Sequence, residues 1–340
     1  MPDYQVGFWN LENLFAPEGH PGREPWIAAA VARDLAGWTQ ALFDAKVAQL
    51  AAIIAALNGG AGPDILGVCE VENRFVLDQL TPALNAGLPA RHYDVVHADS
   101  TADHRGIDTA FIYDDRQFGV DPVAVFSHFV MRRTGTRDIT QVTFTTHAGN
   151  ELVAFANHWP SRSGGDVEES AGFRAVAAET LAYWHERVRE IRGTDMAIIA
   201  LGDLNDGPWD ASVRFNANSS RERGDTSRAQ SARFHNLAWN YLHIDAVDHN
   251  GNLRRLDGTL YHKGDGNIFD QILVNRSLLN GERGLTVLDD TATVAALPPM
   301  VDHAVGEGPI RFGLPRGNAA ANVNQNGYSD HFPVTVTIRE

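Results

Sequence analysis

The chain has 340 residues, 44% of them hydrophobic, one cysteine and a formal net charge of −15. Such acidity excludes a general electrostatic affinity for polyanions while leaving room for a local basic patch. The lone Cys69 excludes an intrachain disulfide and a thiolate metal cluster, and no apolar run reaches the ~18 residues of a membrane span, so none is expected.

A chain of this length buries a large core, and without a linker-like stretch or a charge block the expectation is one domain over residues 1–340. Residues 4–10 read as a strand, with no basic or apolar region of a signal peptide before it. That implies a cytoplasmic protein if this N-terminus is native and a secreted one if a signal was trimmed; the oligomeric state is left open. In residues 39–58, Leu42, Phe43, Val47, Leu50, Ile53, Ile54 and Leu57 recur at the spacing of an amphipathic helix, which Asn58-Gly59-Gly60 ends. Pro63 and Asp64 lead into a buried strand over 65–69 that closes on Glu70, with Cys69 read as a packing residue. Residues 93–97, 109–113, 120–126 and 139–145 read as shorter strands. Residues 151–155 form a strand pattern ending at Asn157-His158, 168–191 a long helix, and 197–201 a buried strand ending at Asp203. Strands are also expected over 268–274 and 334–338, the last alternating cleanly.

Two stretches therefore share one plan: a strand ending in Asn, a loop, a long helix, and a buried strand ending in a carboxylate. Asn10 and Glu70 belong to the first, Asn157 and Asp203 to the second. Many short strands with a few long helices point to two packed sheets flanked by helices, with a site at the strand ends.

Asn10, Glu70, Asp108, His158, Asp203, Asn205, Asp270, Asp330 and His331 nearly all adjoin apolar runs. An Asp after a strand is commonly only a turn or cap residue. Together, however, these side chains offer oxygen ligands suited to Mg²⁺ or Mn²⁺ and two imidazoles for proton work. A P-loop, a nucleophile elbow and a His-Glu-x-x-His helix are all missing.

The ordered pieces "FWNLENLF" (8–15), "GVCEVEN" (67–73), "GIDTAFIYD" (106–114), "NHWPSRSGG" (157–165), "GDLND" (202–206), "FDQILVN" (269–275) and "SDHFPV" (329–334) resemble the endonuclease/exonuclease/phosphatase superfamily, which includes deoxyribonuclease-I-like enzymes. The resemblance implies an α/β fold, a four-layered α/β/β/α sandwich of two packed mixed sheets flanked by helices. It also implies a divalent-metal-dependent phosphoester hydrolase in which water attacks phosphorus in line. By the same resemblance Glu70 is the main metal ligand, with Asn10 and Asp330 near the same ion. Asp203 orients or deprotonates the water, Asn205 partners it at the phosphate, and His331 contacts the scissile phosphate with its ring held by Asp270. His158 is the second active-site imidazole, and Asp108 its acidic partner.

Arg162 and Ser161 are candidate phosphate contacts, with a surface ion pair and an ordinary loop serine as the competing readings. Glu72 and Asn73 are candidates to support Glu70, Asn73 equally a helix cap. Asp-His occurs four times, and Asp330-His331 is singled out by the strand after it; Asp103-His104, Asp248-His249 and Asp302-His303 read as loops. A phosphodiester substrate is expected, with nuclease as the leading subclass and a small-molecule or lipid-headgroup esterase next; a binding module that has lost its metal is a third class. A nucleic-acid track would draw on Arg132, Arg133 and Arg137, or on Arg214, Arg221, Arg223, Arg228 and Arg233, the second set equally a solvated loop. Trp26, Trp38, Trp159 and Trp209 are candidates to stack a base, or else packing residues.

Overall fold

The computed structural model describes residues 1–100, 103, 105–130, 136–162 and 167–340, without the side chains of 167–169. Strand β1 (Asp3–Leu14) is followed by helices α1 (Pro25–Val31) and α2 (Gln40–Gly60), strand β2 (Ile65–Val71), helix α3 (Arg74–Gly87), and strands β3 (Tyr93–His97) and β4 (Asp108–Asp114). Next come β5 (Phe118–Val120), β6 (Phe126–His128), β7 (Ile139–Thr146) and β8 (Glu151–His158), then α4 (Val167–Arg192) and β9 (Ala197–Asp203). Short strands β10 (Ser219–Ser220), β11 (Phe234–Asn236), β12 (Ile244–Val247), β13 (Leu253–Leu256), β14 (Leu260–His262) and β15 (Asp265–Asn267) precede β16 (Asp270–Asn275), β17 (Thr286–Val294) and β18 (Val334–Arg339).

These strands make two large mixed sheets, ordered β17-β18-β1-β2-β4-β3 and β10-β11-β16-β9-β8-β7-β5. At the centre of each lies a parallel pair, β1 with β2 and β8 with β9. A parallel pair needs a crossover, and the helical segments between its strands supply it, so the shared plan seen in the sequence becomes shared topology. The sheets face each other across one apolar core, while α4 covers the outer face of the second sheet through a separate cluster that includes Trp159, Leu181 and Phe155.

The two sheets approach closely at Gly67 of β2. A Cβ there would lie 2.4 Å from Leu201 Cδ1 of β9 and 3.0 Å from Phe8 Cδ2, so only a hydrogen fits. Helix α2 starts where Thr39 accepts the Leu42 amide and stops where Asn58 and Gly59 turn left-handed. Over its 21 residues it is apolar enough to cross a membrane by composition, but Phe43, Leu50 and Ile54 are buried in the core between sheet and helix. Expected strand 120–126 is instead two short strands separated by a turn at Pro122–Ala124. Pro122 has no amide hydrogen to give a ladder, which accounts for the break.

Replacing Gly67 by Val should destabilise the protein by about 1–3 kcal/mol, the usual cost of overfilling a packed core. The check is the urea midpoint at constant slope; a wild-type midpoint would mean that the sheets tolerate separation here.

Candidate active site

The ladder register decides which side chains meet. Asp270 of β16, Asp203 of β9 and His158 of β8 are direct partners on adjacent strands, so one sheet presents all three at one level. From the facing sheet come Asn10 of β1, Glu70 of β2, and Asp330 with His331 just before β18. Contacts then cross the interface: Asn10 Nδ2 donates to Asp203 Oδ2 at 3.1 Å, Glu70 Oε1 stands 3.7 Å from His158 Nε2, and Asp270 Oδ2 meets His331 Nδ1 at 2.7 Å.

Local backbone strain helps to place these groups. Glu12, Asn13, Glu70 and Asn205 all have φ between 50° and 60°, in the left-handed region that costs a side-chain-bearing residue of order 1 kcal/mol or more. At Glu70 the turn interrupts the register of β2 with β4, and the Asn13 amide donates to its Oε2 at 2.8 Å. At Asn205 it returns the amide to Asp203 Oδ1 at 3.0 Å, while Asn205 Nδ2 reaches the Trp159 carbonyl at 3.0 Å.

Electrostatics divide the cluster into different protonation states. Burial, reinforced by Asp270 and opposed by His331, pushes the Asp203 carboxyl up to about 7. Burial and nearby Glu12 likewise raise Asp330 to about 6. For His331 burial disfavours the charge, but the carboxylates of Asp270 and Asp203 outweigh it and lift the imidazole well above its ordinary value. Burial and then Arg137 and Arg105 drive His158 well below, so this ring is neutral. Glu70 is buried too, yet Arg105, Arg137 and His331 overcome the desolvation and hold it below the usual carboxylate range.

Among the expected residues, Asp108 is displaced from its assigned role. Its carboxylate meets His97 Nε2 at 3.2 Å and the Ser100 amide at 3.1 Å. Arg137, which the sequence placed in a surface track, is buried and puts Nε 3.1 Å and Nη2 3.0 Å from the two ring nitrogens of His158. The cause is strand order: Asp108 opens β4, paired to Val71 in the first sheet, whereas Arg137 precedes β7, the neighbour of β8. Arg162 is engaged by Asp206 at 2.8 Å and by Asp210, and lies over the Phe269 ring at 4.9 Å. Ser161 lines a cavity with Arg162, Asn205 and Asp330.

Other residues have these surroundings. Asn157 binds the Phe155 and Leu201 carbonyls, Glu72 pairs with Arg23, and Asn73 caps α3. Trp38 and Trp159 are buried, whereas Trp26 and Trp209 are exposed. Arg223 reaches Asp289 and Arg221 lies over Trp239. His104, Arg132, Arg133, Gly164 and Gly165 lie outside the described residues.

A buried ionic knot beneath the site was not expected. Glu12 accepts the amides of Phe312 and Gly313 at 3.0 and 3.1 Å and Arg311 Nε at 2.7 Å, while buried Lys46 donates to its carbonyl. A charged residue inside the first strand's "NLENLF" and a lysine on the apolar face of α2 were the available signals.

Carboxylate and amide oxygens thus gather at the joined ends of two mixed sheets, beside a His331 ring held by Asp270. The chain belongs to the Endonuclease/Exonuclease/phosphatase family, whose sequence pattern matches residues 5–340. No curated protein matches it. In fold it is similar to a mannosyl-6-phosphatase of Bacteroides thetaiotaomicron VPI-5482, at 15% identity over 99% of this chain and 100% of that one, with a TM-score of 0.54. It is similar also to the human Nocturnin catalytic domain with bound sulfate (14%, 99% and 94%, TM-score 0.53). A third likeness is to D. rerio TDP2 complexed with a single-strand DNA product (12%, 99% and 99%, TM-score 0.53). At these identities the likeness is one of fold.

Asp203 also makes stability pH-dependent. Its folded carboxyl titrates near 7, against 3.8 for an ordinary Asp, so the folded state keeps a proton that the unfolded chain loses, and stability falls as pH rises through that window. In metal-free protein Asp203→Asn should therefore melt above wild type at about pH 8, with the gap shrinking toward about pH 4. A variant that melts lower at the higher pH would contradict the charge crowding.

Proposed function

We propose that the protein is a divalent-metal-dependent phosphodiesterase. The observation that carries this reading is the His331 imidazolium, fixed at Nδ1 by Asp270 at 2.7 Å, with Nε2 3.8 Å from Asp203 Oδ2 and 4.0 Å from Asp330 Oδ1. A cation donor and a base whose carboxyl titrates near 7 thus face one space.

The donor set fits a hard cation. Glu70 is ionised and Asp330 lies within electrostatic reach of it, both oxygen donors with no thiolate available, since burial holds the Cys69 thiol well above its usual range. Glu70 and Asp330 would hold Mg²⁺ or Mn²⁺, with Asn10 placed by its hydrogen bond to Asp203. Such an ion supplies charge neutralisation for the phosphate oxygens.

The chain's own groups perform the rest. Asp203 accepts a proton from the water that forms the new bond to phosphorus, while the ester oxygen opposite departs. His331 donates from Nε2 to a non-bridging oxygen and stabilises the charge gathering there. Asp270 keeps that ring oriented, since its Oδ2 takes the Nδ1 hydrogen and its backbone is pinned by Tyr241 and Thr259. Neutral His158, 3.7 Å from both Glu70 and Asp203, adds no second positive charge beside a carboxylate that would hold the ion.

Nucleic acid is one diester to test, as single-strand DNA is the product bound in the D. rerio neighbour. Metal-stripped protein should cleave no diester; restoring Mg²⁺ or Mn²⁺ should start hydrolysis of DNA or of a small diester, and Asp203→Asn should lower the rate ~100-fold or more. Hydrolysis that survives chelation or that substitution would refute the proposal.

A further inference from the structure

Asn205 and Asp330 do not only close the charged cluster. They also form one wall of a cavity of about 520 Å³, a size typical of small-molecule sites. Whatever is esterified to a phosphoryl group beside those residues extends into this space. Its other walls come from the β14–β15 hairpin and from the segment through Pro309, both tied to the site. Leu260 bridges to His331, the Phe332 amide donates to the Thr259 carbonyl at 2.8 Å, and Val301 bridges to Pro309.

Two aromatic rings, Tyr261 and Phe269, line the interior. Tyr261 is held in place: its hydroxyl donates to Asp257 Oδ1 and accepts the Asp257 amide, each at 2.9 Å. Its ring lies so close to Gly308 that a Cβ there would come within 2.1 Å of Tyr261 Cδ2. The walls are therefore preformed rather than collapsed.

Charge separates the possible occupants. Both arginines on the lining are committed: Arg162 to Asp206 and Asp210, Arg311 to Glu12 and within 3.7 Å of Asp330. Glu307 lines the same space. A polynucleotide brings further phosphates and needs uncommitted cations to meet them, whereas an uncharged ring needs only aromatic faces and neutral polar groups such as Asn205 and Asn267.

We propose that this cavity receives one uncharged, ring-bearing, hydroxylated group esterified to the bound phosphoryl group, so that the substrates are small organic phosphodiesters rather than polynucleotides. The proposal rests on the phosphodiesterase reading above. Tyr261 takes the ring face, Phe269 closes the wall beneath the Arg162 guanidinium that already covers it, and the paired arginines shape the rim without attracting a second phosphate.

The test compares the methyl ester of thymidine 5′-phosphate, dimethyl phosphate and a single-stranded oligonucleotide, each with metal-restored protein and products followed by chromatography. The thymidine ester should exceed dimethyl phosphate in kcat/KM by ~10-fold or more, and exceed the oligonucleotide per cleavable bond. Tyr261→Ala should raise KM for the thymidine ester ~10-fold while lowering kcat far less, and Gly308→Ala, which drives the Tyr261 ring into the cavity, should raise KM too. Equal rates on the two small esters, preference for the oligonucleotide, or an unmoved KM in both variants would overturn the cavity assignment while leaving the hydrolase reading intact. If the wild type cleaves none of the three, the hydrolase reading falls and the proposal falls with it.

Discussion

The structure turns on a crowding of negative charge. Glu12, Glu70, Asp203 and Asp270 are brought together where two sheets meet, away from bulk water, with partly exposed Asp330 at their edge. Desolvation penalises the charged form first, and neighbouring carboxylates, Asp270 for Asp203 and Glu12 for Asp330, add repulsion, which is why both hold protons to unusually high pH. Left-handed turns at Glu12, Asn13, Glu70 and Asn205 add backbone strain at the same place. The packed sheets and the Glu12–Lys46–Arg311 knot hold the arrangement against both.

Most of the frame is legible in the sequence because its strands are buried on both faces. Runs such as Ile65–Val71 and Ala197–Asp203 are buried throughout, and continuous apolar residues bounded by turns mark them. The α2 stripe is equally visible, since one side of that helix must meet the core. Strand β17 escapes notice for the opposite reason. It is an edge strand with Asp290 and Thr291 exposed and an irregular register against β18, so no clean alternation marks it. The β14–β15 hairpin, with strands of three residues each, is too short to show a pattern, yet it builds a wall of the cavity.

The site was legible where function sits at a strand end and illegible where it depends on strand order. Asp203, Glu70 and His331 follow or precede apolar runs, and alternation alone sends them to one end of the sheets. Which group stands beside His158 depends instead on β7, not β4, being the neighbour of β8. A string of residues carries no such adjacency, so nothing in it points from Arg137 to the His158 ring. Arg162 illustrates another limit: the sequence shows a cation near the site and leaves an ion pair open, but it does not show that Asp206 and Asp210 are the partners.

The central claim is that this carboxylate cluster exists to hold a divalent cation, and direct binding tests it apart from any substrate. Titration of Mn²⁺ into metal-stripped wild-type protein and into Glu70→Gln, with free Mn²⁺ read by electron paramagnetic resonance, is the measurement. Glu70→Gln keeps an oxygen for the Asn13 amide and removes only the charge, so the account predicts Mn²⁺ bound by the wild type and affinity weakened ~10-fold or more in the variant. Equal affinity in the two proteins, or no Mn²⁺ bound by the wild type, would contradict it.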